Sequence, residues 1–333
     1  MESYSPKDIK THNLNVLRKL IRKNQFLSTK EIAEQTGLSV VSINKLMPEL
    51  VASGELVIQE NLAVTGGRRA AIYEFNPQFN LFLVVQFSEK DKEIQGSFHV
   101  CNLYGKVIKE KSYQKQELTW ELLKDQLAIW LEQYSMIKWV VFGIPGVEIE
   151  GKLKIMDFEP LYGLNLRERV QKEFGVQVWI ENDINAATLG YAAQLKLENE
   201  IYASLYYPEN YLPGAGIVYD GKLFRGKHGL SGEIQHLPLQ NNQDTLPKSH
   251  ETLIKNIREV LQIVISLYDP TKIVIYTNYT DFSKADLNSI QKELAVIFPY
   301  FELTNLAMGD NFQRDYLNGL IHIGLEQTID YMQ

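Results

Sequence analysis

Apolar residues in the stretch 28–50 recur at the spacing of two short helices joined by a tight turn. Ser28 and Glu31 form a capping-box pattern, because each side chain can bond the other's backbone amide at the start of a helix. Gly37 supplies the left-handed conformation that ends this helix at about residue 36. The first half of the stretch therefore predicts one helix of about two turns, followed by a turn.

The second helix of the pair begins after Ser39, which is a favourable N-cap. Its inward face consists of Ile43, Leu46 and Leu50. Pro48 lacks an amide to bond the preceding turn, so we expect a kink or a break there. In a helix-turn-helix, the outward residues near the start of this helix enter the major groove. These candidates for DNA contact are Ser39, Val40, Ser42, Asn44 and Lys45. A helical hairpin that merely packs remains the alternative.

Two short strands are predicted next, at Glu55–Gln59 and Ala71–Phe75. The segment between them contains Gly66, Gly67, Arg68 and Arg69. A glycine pair allows a sharp turn, and two arginines beside it can lie along a phosphate backbone or enter a minor groove. This layout is typical of a winged helix. A solvated hairpin with incidental arginines is the other interpretation.

An amphipathic pattern precedes the pair and predicts a first helix that completes a three-helix unit. Its apolar face contains Ile9, Leu14, Leu17, Leu20 and Ile21. The pattern changes after Asn76, where Pro77 follows. We therefore expect a winged helix-turn-helix domain at residues 1–76 and a second domain at 77–333.

Strands and helices alternate along residues 81–333, and a unit of three strands, a helix, a strand and a helix occurs twice. This predicts a two-lobed α/β body with a cleft between its lobes. One predicted strand, Val178–Glu181, leads directly into Asn182 and Asp183.

Composition excludes several classes of protein. The 333 residues are 45% hydrophobic and 23% charged, with no disorder signature, no signal peptide and no apolar run of membrane-spanning length, so we expect a cytoplasmic protein without membrane contact. The single cysteine, Cys101, excludes an internal disulfide, and we expect a half-buried strand thiol. Net charge is −7 overall, but residues 1–76 carry +2. A mildly basic front on an acidic body fits a DNA-reading module joined to another domain.

Three longer stretches, together with Gly66-Gly67-Arg68, resemble the ROK family of repressors, open reading frames and sugar kinases. They are Phe142–Gly146 (FGIPG), Val178–Gly190 (VWIENDINAATLG) and Gly214–His236 (GAGIVYDGKLFRGKHGLSGEIQH). The resemblance covers nearly the whole chain and implies an actin-like ATPase fold for the body. The chain resembles the repressor branch of the family, because a predicted winged helix precedes the body.

The resemblance implies a carbohydrate site. The END motif places Asn182 and Asp183 there, and the GExxH motif adds Glu233 and His236. Carboxylates, an amide and an imidazole supply the acceptors and donors that a ring of hydroxyls requires. Asn182 and Asp183 also suit the cap of the following helix, and the two roles are compatible.

Departures from the family pattern bear on catalysis. Where the kinases have a DxGxT phosphate loop, this chain reads Gln86-Phe87-Ser88-Glu89-Lys90, and only the end of a second glycine-rich loop survives at Gly214-Ala215-Gly216. The family's zinc-binding cysteines are missing, so a thiolate zinc site cannot form near His236. We therefore expect no catalytic residues, no metal and no cofactor.

These patterns lead to one main hypothesis and two alternatives. The main one is a homodimer, or higher homo-oligomer, that represses carbohydrate-metabolism genes by binding double-stranded operator DNA and is controlled by a sugar or sugar phosphate in the cleft. One alternative is a repressor whose body serves only as a dimerisation or docking scaffold. The other is an active sugar kinase with a regulatory headpiece.

Overall fold

The computed structural model describes residues 5–24, 26–59, 71–90, 93–113, 119–154, 161–195, 199–239, 246–300, 302 and 304–331. The chain forms two compact units. The N-terminal unit comprises Met1–Leu81, Asn102–Lys106 and Leu325–Gln333, and the body comprises Phe82–Cys101 and Val107–Gly324. The boundary after residue 76 stays a prediction, because the N-terminal unit also takes in a turn and a helix end from far along the chain.

The N-terminal unit contains the helices α1 (Pro6–Asn24), α2 (Thr29–Thr36) and α3 (Val40–Ala52). The predicted capping box is present: the Ser28 amide donates to Glu31 Oε2 at 2.8 Å, and the Glu31 amide donates to Ser28 Oγ at 3.3 Å. Gly37 has a φ of 72° and ends α2, as its position predicts. These local signals fix where α2 starts and stops.

Replacing Ser28 by alanine should lower the free energy of unfolding of the N-terminal unit by about 1 kcal/mol, because one backbone amide loses its partner. Urea denaturation followed by far-UV circular dichroism measures this change. Ser28→Thr, which keeps the hydroxyl, is the control and should retain most of the stability. Equal stability of the alanine variant and the parent protein would contradict a stabilising cap.

Two details of these helices differ from the sequence predictions. We expected a kink or a break at Pro48; helix α3 continues through Pro48 to Ala52, which excludes the break. Pro48 removes one intrahelical hydrogen bond, but Met47 and Leu50 beside it are fully buried and hold the helix in place. Ile9 is 51% exposed and does not belong to the buried face of α1.

A three-stranded antiparallel sheet completes the described part of the N-terminal unit. Its strands are β1 (Phe26–Ser28), β2 (Leu56–Gln59) and β3 (Ile72–Phe75), in the order β1-β3-β2. The β2–β3 pair corresponds to the two predicted strands, whereas β1 was not predicted because three residues give no alternating pattern. Gly66, Gly67, Arg68 and Arg69, the predicted wing tip, lie outside the described residues.

The body contains two five-stranded sheets. The strands of the first sheet are β4 (Leu81–Lys90), β5 (Glu93–Asn102), β6 (Val107–Tyr113), β7 (Ile137–Ile144) and β10 (Gln177–Asn182). A separate two-stranded hairpin consists of β8 (Val147–Ile149) and β9 (Lys152–Lys154). The strands of the second sheet are β11 (Ile201–Tyr207), β12 (Gly214–Tyr219), β13 (Lys222–Leu223), β14 (Lys272–Thr277) and β15 (Asn305–Met308). The strand order is β10-β7-β4-β5-β6 in the first sheet and β13-β12-β11-β14-β15 in the second.

Six helices in the described ranges accompany these sheets: α4 (Trp120–Gln133), α5 (Leu166–Phe174), α6 (Asp183–Leu195), α7 (His250–Tyr268), α8 (Lys284–Ile297) and α9 (Phe312–Tyr331). No helix in the described part of the chain is long and apolar enough to cross a membrane. Cys101, predicted to be half-buried, is fully buried in β5, and burial raises the pKa of its thiol well above the usual range.

Helices α6 and α9 approach so closely that glycine is required where they meet. A Cβ on Gly319 would collide with the backbone carbonyl of Ala186, and one on Gly190 would collide with that of Asp315. The Asp315 carboxylate is fully buried and accepts from Tyr276 Oη at 2.8 Å and from Gln194 Nε2 at 3.1 Å. These contacts place the start of α9 against the C-terminal half of α6.

Candidate functional site

A cavity of about 540 Å³ lies within the body, where strands of both sheets end. Strands β7 and β10 are parallel, so Ile144 and Asn182 end side by side and the residues just after them reach the same edge. From the second sheet, Tyr206 near the end of β11 also lines the cavity. Ligand sites of α/β proteins commonly lie at the carboxyl ends of parallel strands.

Asn182 and Asp183 start helix α6 and line the cavity at the same time. The Asn185 amide donates to Asn182 Oδ1 at 3.2 Å, and the Ile184 amide donates to Asp183 Oδ1 at 2.7 Å. Asn182 Nδ2 donates to the carbonyl oxygen of Gly146 at 3.1 Å, which ties the turn after β10 to the turn after β7. Both residues therefore act as caps, and both still face the space where a ligand would lie.

The electrostatic environment of Asp183 is unusual. Burial raises the pKa of Asp183 to about 7, the nearby carboxylate of Glu233 adds to this effect, and the hydrogen bond from the Ile184 amide opposes it. A carboxyl with a pKa near neutrality can accept or donate a hydrogen bond at physiological pH. Such groups are concentrated at functional sites.

An ion pair between buried Glu181 and the exposed Arg225 lies at the end of the strand that carries these residues. Glu181 accepts from Arg225 Nη2 at 2.7 Å and from Asn185 Nδ2 at 3.1 Å. Arg225 is thus paired with Glu181, the residue that immediately precedes Asn182. Glu181 thus links Arg225 to Asn185 at the junction of β10 and α6.

The predicted GExxH residues divide between two environments. Glu233 lines the cavity and accepts from Gln235 Nε2 at 2.7 Å, and Gln235 lines the cavity as well. His236 ends a short 3₁₀ helix, Ile234–His236, with its side chain exposed and outside the cavity lining. A Cβ on Gly232 would collide with the Ala215 carbonyl, so the loop that carries these residues lies directly on strand β12.

Several further lining residues give no signal in the sequence, because they come from distant parts of the chain. The Tyr206 and Phe312 rings stack at 4.0 Å between centroids, and Phe312 meets Tyr276 edge-on at 5.3 Å. The aromatic residues of the cavity wall are Phe87, Tyr206, Tyr211, Phe312 and Tyr316. These rings make part of the cavity wall apolar.

The positions of the two kinase loops have other roles in this fold. Gln86 lies inside strand β4, which continues to Lys90, and its amide donates to Gln313 O at 3.1 Å and Gln313 Oε1 at 2.9 Å. A Cβ on Gly216 would collide with the Thr188 hydroxyl, so this glycine allows β12 to pack on α6. Within the described ranges, no group of three or more His, Cys, Asp or Glu side chains is arranged to hold a metal ion.

The predicted DNA-contacting residues of α3 lie at its N-terminal end. Ser39 caps the helix by accepting from the Ser42 amide at 3.1 Å, and the two hydroxyls are 2.9 Å apart. Val40, Asn44 and Lys45 are exposed, whereas Ser42 is half-buried. Val41, which we did not select from the sequence, is 65% exposed. The exposed set thus combines an amide, an ammonium group and two branched apolar side chains.

Known proteins resemble this chain in sequence. Residues 96–250 match the ROK family. The chain is 25% identical over 276 residues to the xylose repressor of Caldicellulosiruptor bescii, a match that covers 78% of this chain and 67% of that protein. It is 26% identical over 245 residues to the DNA-binding transcriptional dual regulator NagC of Escherichia coli, with 70% of this chain and 58% of NagC covered.

Two solved structures share the fold. A ROK family transcriptional regulator, described as a homolog of the E. coli MLC protein, superposes with a TM-score of 0.68 at 19% identity. The superposition covers 97% of this chain and 98% of the regulator's chain. The ROK hexokinase from Thermus thermophilus superposes with a TM-score of 0.60 at 16% identity. The superposition covers 74% of this chain and 99% of the hexokinase chain. The predicted fold class is confirmed. The chain therefore has the fold of a ROK transcriptional regulator and carries a ROK family domain at residues 96–250.

Proposed function

We propose that this protein is a cytoplasmic, DNA-binding repressor of carbohydrate-metabolism genes, controlled by a small carbohydrate that binds in the cavity of the body. The observation that carries the proposal is the cavity itself, where Asn182, Asp183 and Glu233 lie together on a fold shared with a transcriptional regulator. The named sequence relatives, a xylose repressor and NagC, support the same reading.

The DNA-binding half of the proposal rests on α3. Its exposed Asn44 can bond an adenine edge, and Lys45 can bond a guanine or a phosphate. Ser39, Val40 and Ser42 complete the predicted groove-facing set, and the wing residues Gly66, Gly67, Arg68 and Arg69 would add phosphate or minor-groove contacts. One short helix reads few base pairs, so we propose a homodimer that binds a pseudo-palindromic operator.

The ligand-binding half assigns Asn182, Asp183 and Glu233 to the hydroxyls of a sugar. Gln235 joins them because it lines the cavity and bonds Glu233. His236 lies outside the cavity lining. Its contact with the sugar, which the family motif implies, stays a prediction. A ligand that binds one of two conformations better, by about 1–3 kcal/mol, would change operator affinity about 5- to 150-fold.

We further propose that the protein does not transfer phosphate. Close approach of backbone amides to phosphate oxygens requires a glycine-rich turn. In this chain β4 runs straight through Gln86–Lys90, and Gln86 is bonded to Gln313. Gly216, which remains from the second glycine-rich loop, is required here because β12 packs closely on Thr188 of α6.

The direct experiment is selection of DNA from a random duplex library with the purified full-length protein. We expect enrichment of a two-fold symmetric sequence that binds at least about 1,000-fold more tightly than an unrelated duplex at the same salt concentration. Fluorescence anisotropy with the selected and the scrambled duplex measures this ratio. Equal affinity for both duplexes would refute sequence-specific operator binding.

A further inference from the structure

Helix α3 presents a branched apolar side chain at the centre of its exposed face. The buried side of the helix consists of Ile43, Leu46, Met47 and Leu50. At about 100° of rotation per residue, Val41 lies almost directly opposite this buried side, and it is 65% exposed. Asn44 and Lys45 follow three and four residues later and are exposed on the same face. Val41 is therefore the apolar centre of the surface to which we assigned the DNA contacts.

The stability of the helix does not account for this residue. Val41 buries little surface, and a β-branched residue is a weaker helix former than alanine, lysine or glutamate. Acidic residues are favourable in the first turn because of the helix dipole. Among the α-helices in the described ranges, all except α3 carry one there, and these residues are Asp8, Glu31, Glu121, Glu168, Asp183, Glu251, Asp286 and Asp315. The start of α3 thus has a composition that helix stability alone does not favour.

Binding of DNA accounts for this composition. A carboxylate at the start of α3 would face the phosphates of a bound duplex and repel them. The acidic residue of α3, Glu49, lies near the other end of the helix and is paired with Lys10 Nζ at 2.6 Å. The Ser39 and Ser42 hydroxyls are 2.9 Å apart and form a hydrogen bond with each other. The exposed start of α3 therefore offers methyl groups without a negative charge.

A methyl group in the major groove has one counterpart among the bases. The C5-methyl group of thymine projects into this groove, and apolar side chains contact it there, whereas the other three bases present hydrogen-bonding groups. Three residues along a helix correspond to about 4.5 Å, and successive base pairs are about 3.4 Å apart. A base that Val41 contacts therefore lies within about two base pairs of a base that Asn44 contacts.

We propose that Val41 is a specificity-determining residue, and that its methyl groups pack on the C5-methyl group of one thymine in each operator half-site. This thymine lies within about two base pairs of the adenine that Asn44 reads. The inference rests on the proposed function, since it assumes that α3 enters the major groove of an operator. It adds a residue that we did not select from the sequence, and it names the base that this residue reads.

Replacement of thymine by deoxyuridine tests the contact, because it removes the C5-methyl group and keeps the base pair. Each thymine of the selected operator is replaced in turn, in both half-sites at once, and fluorescence anisotropy with the full-length protein measures Kd at a fixed salt concentration. At one position we expect binding to weaken about fourfold for each half-site, as the burial of one methyl group predicts. An operator without a thymine near the adenine, or an unchanged Kd at every position, would overturn the inference.

Two matched variants assign the methyl contact to a side chain. Val41→Ala should weaken operator binding, and deoxyuridine at the sensitive position should then cause a further loss of less than about twofold, because the two methyl-bearing groups act as a pair. Val40→Ala makes the same change at the flank of the helix and should keep the full loss on deoxyuridine replacement. Alanine is the better helix former, so we expect both variants to stay folded, which circular dichroism checks. A full deoxyuridine effect in Val41→Ala would overturn the assignment.

Failure of this inference and failure of the proposed function give different results. Sequence-specific binding that is insensitive to every deoxyuridine replacement would leave operator recognition in place and overturn the role of Val41. Loss of the deoxyuridine effect in Val40→Ala alone would assign the contact to Val40 and likewise overturn the role of Val41. Absence of any enriched sequence in the DNA selection would overturn the operator half of the proposed function, and this inference with it.

Discussion

Replacing Asn44 by alanine should weaken binding of the selected operator by about 5- to 150-fold for each half-site, because a well-placed amide contributes about 1–3 kcal/mol of discrimination at an adenine. Asn44 is exposed near the start of α3 and is therefore free to reach a base edge. The loss should be confined to one base-pair position in each half-site, and other positions should keep their preference.

Replacing Lys45 should act differently if the ammonium group contacts a phosphate. Affinity should then fall for all sequences alike, and the slope of log K against log salt should become less steep by about 1 for each half-site. Fluorescence anisotropy at several salt concentrations measures both quantities. Lys284→Ala, at the exposed start of α8 in the body, is the matched control and should leave operator affinity unchanged.

Operator affinity that is unchanged in both α3 variants would contradict the assignment of this helix. Circular dichroism and size-exclusion chromatography must show that the variants keep their fold and oligomeric state. Both residues are exposed, so we expect substitution to change stability by less than about 0.5 kcal/mol.

Asp183→Asn should abolish most sugar binding and stabilise the unliganded protein above pH 7. The asparagine keeps an oxygen for the Ile184 amide, which donates to Asp183 Oδ1 at 2.7 Å in the parent protein. It removes the negative charge that burial and Glu233 disfavour. The same substitution should therefore have opposite effects on binding and on stability, as is common where a site keeps a strained group for function.

The pH dependence follows from the direction of the pKa change. The pKa of Asp183 is about 7 in the folded protein, above that of an ordinary carboxyl, so the folded state holds this proton more tightly than the unfolded state. Between about pH 4 and pH 7 the unfolded chain binds fewer protons at this group, and stability falls as pH rises. The full difference corresponds to at most about 4 kcal/mol, and we expect about 1–2 kcal/mol because water reaches the cavity.

Melting temperatures of the parent protein and Asp183→Asn between pH 4 and pH 8 measure this effect. The difference between them should grow with pH and level off above pH 7. Asp281→Asn, a substitution at an exposed position of the body, is the control and should follow the parent curve. A constant difference at all pH values would show that Asp183 does not titrate in this range.

Local signals in the sequence were sufficient for much of the architecture. The Ser28–Glu31 capping box and Gly37 set the limits of α2 because their interactions span only a few residues. The pattern after β10 likewise indicated that Asn182 and Asp183 lie at a strand end. Pro48 shows the limit of such reasoning, because packing of its buried neighbours outweighed a local helix-breaking signal.

The cavity was only partly predictable for a related reason. Tyr206 lies in β11, whereas Phe312 and Tyr316 lie in α9, more than a hundred residues later in the chain. The sequence of α9 shows only the apolar spacing of a buried helix, so it does not mark these residues as cavity lining. Their convergence depends on the close contact of α6 with α9 at Gly190 and Gly319, which no local pattern encodes. The exposure of His236 depends in the same way on how the loop after Gly232 lies against β12.

The measurement that tests the central claim most directly is operator binding by the full-length protein with and without a bound sugar. We expect a saturating sugar, identified by calorimetry, to weaken operator binding about 5- to 150-fold, and we expect the Asp183→Asn variant to bind the operator without this response. Identical operator affinity with the cavity empty and saturated would contradict the claim that the cavity controls DNA binding.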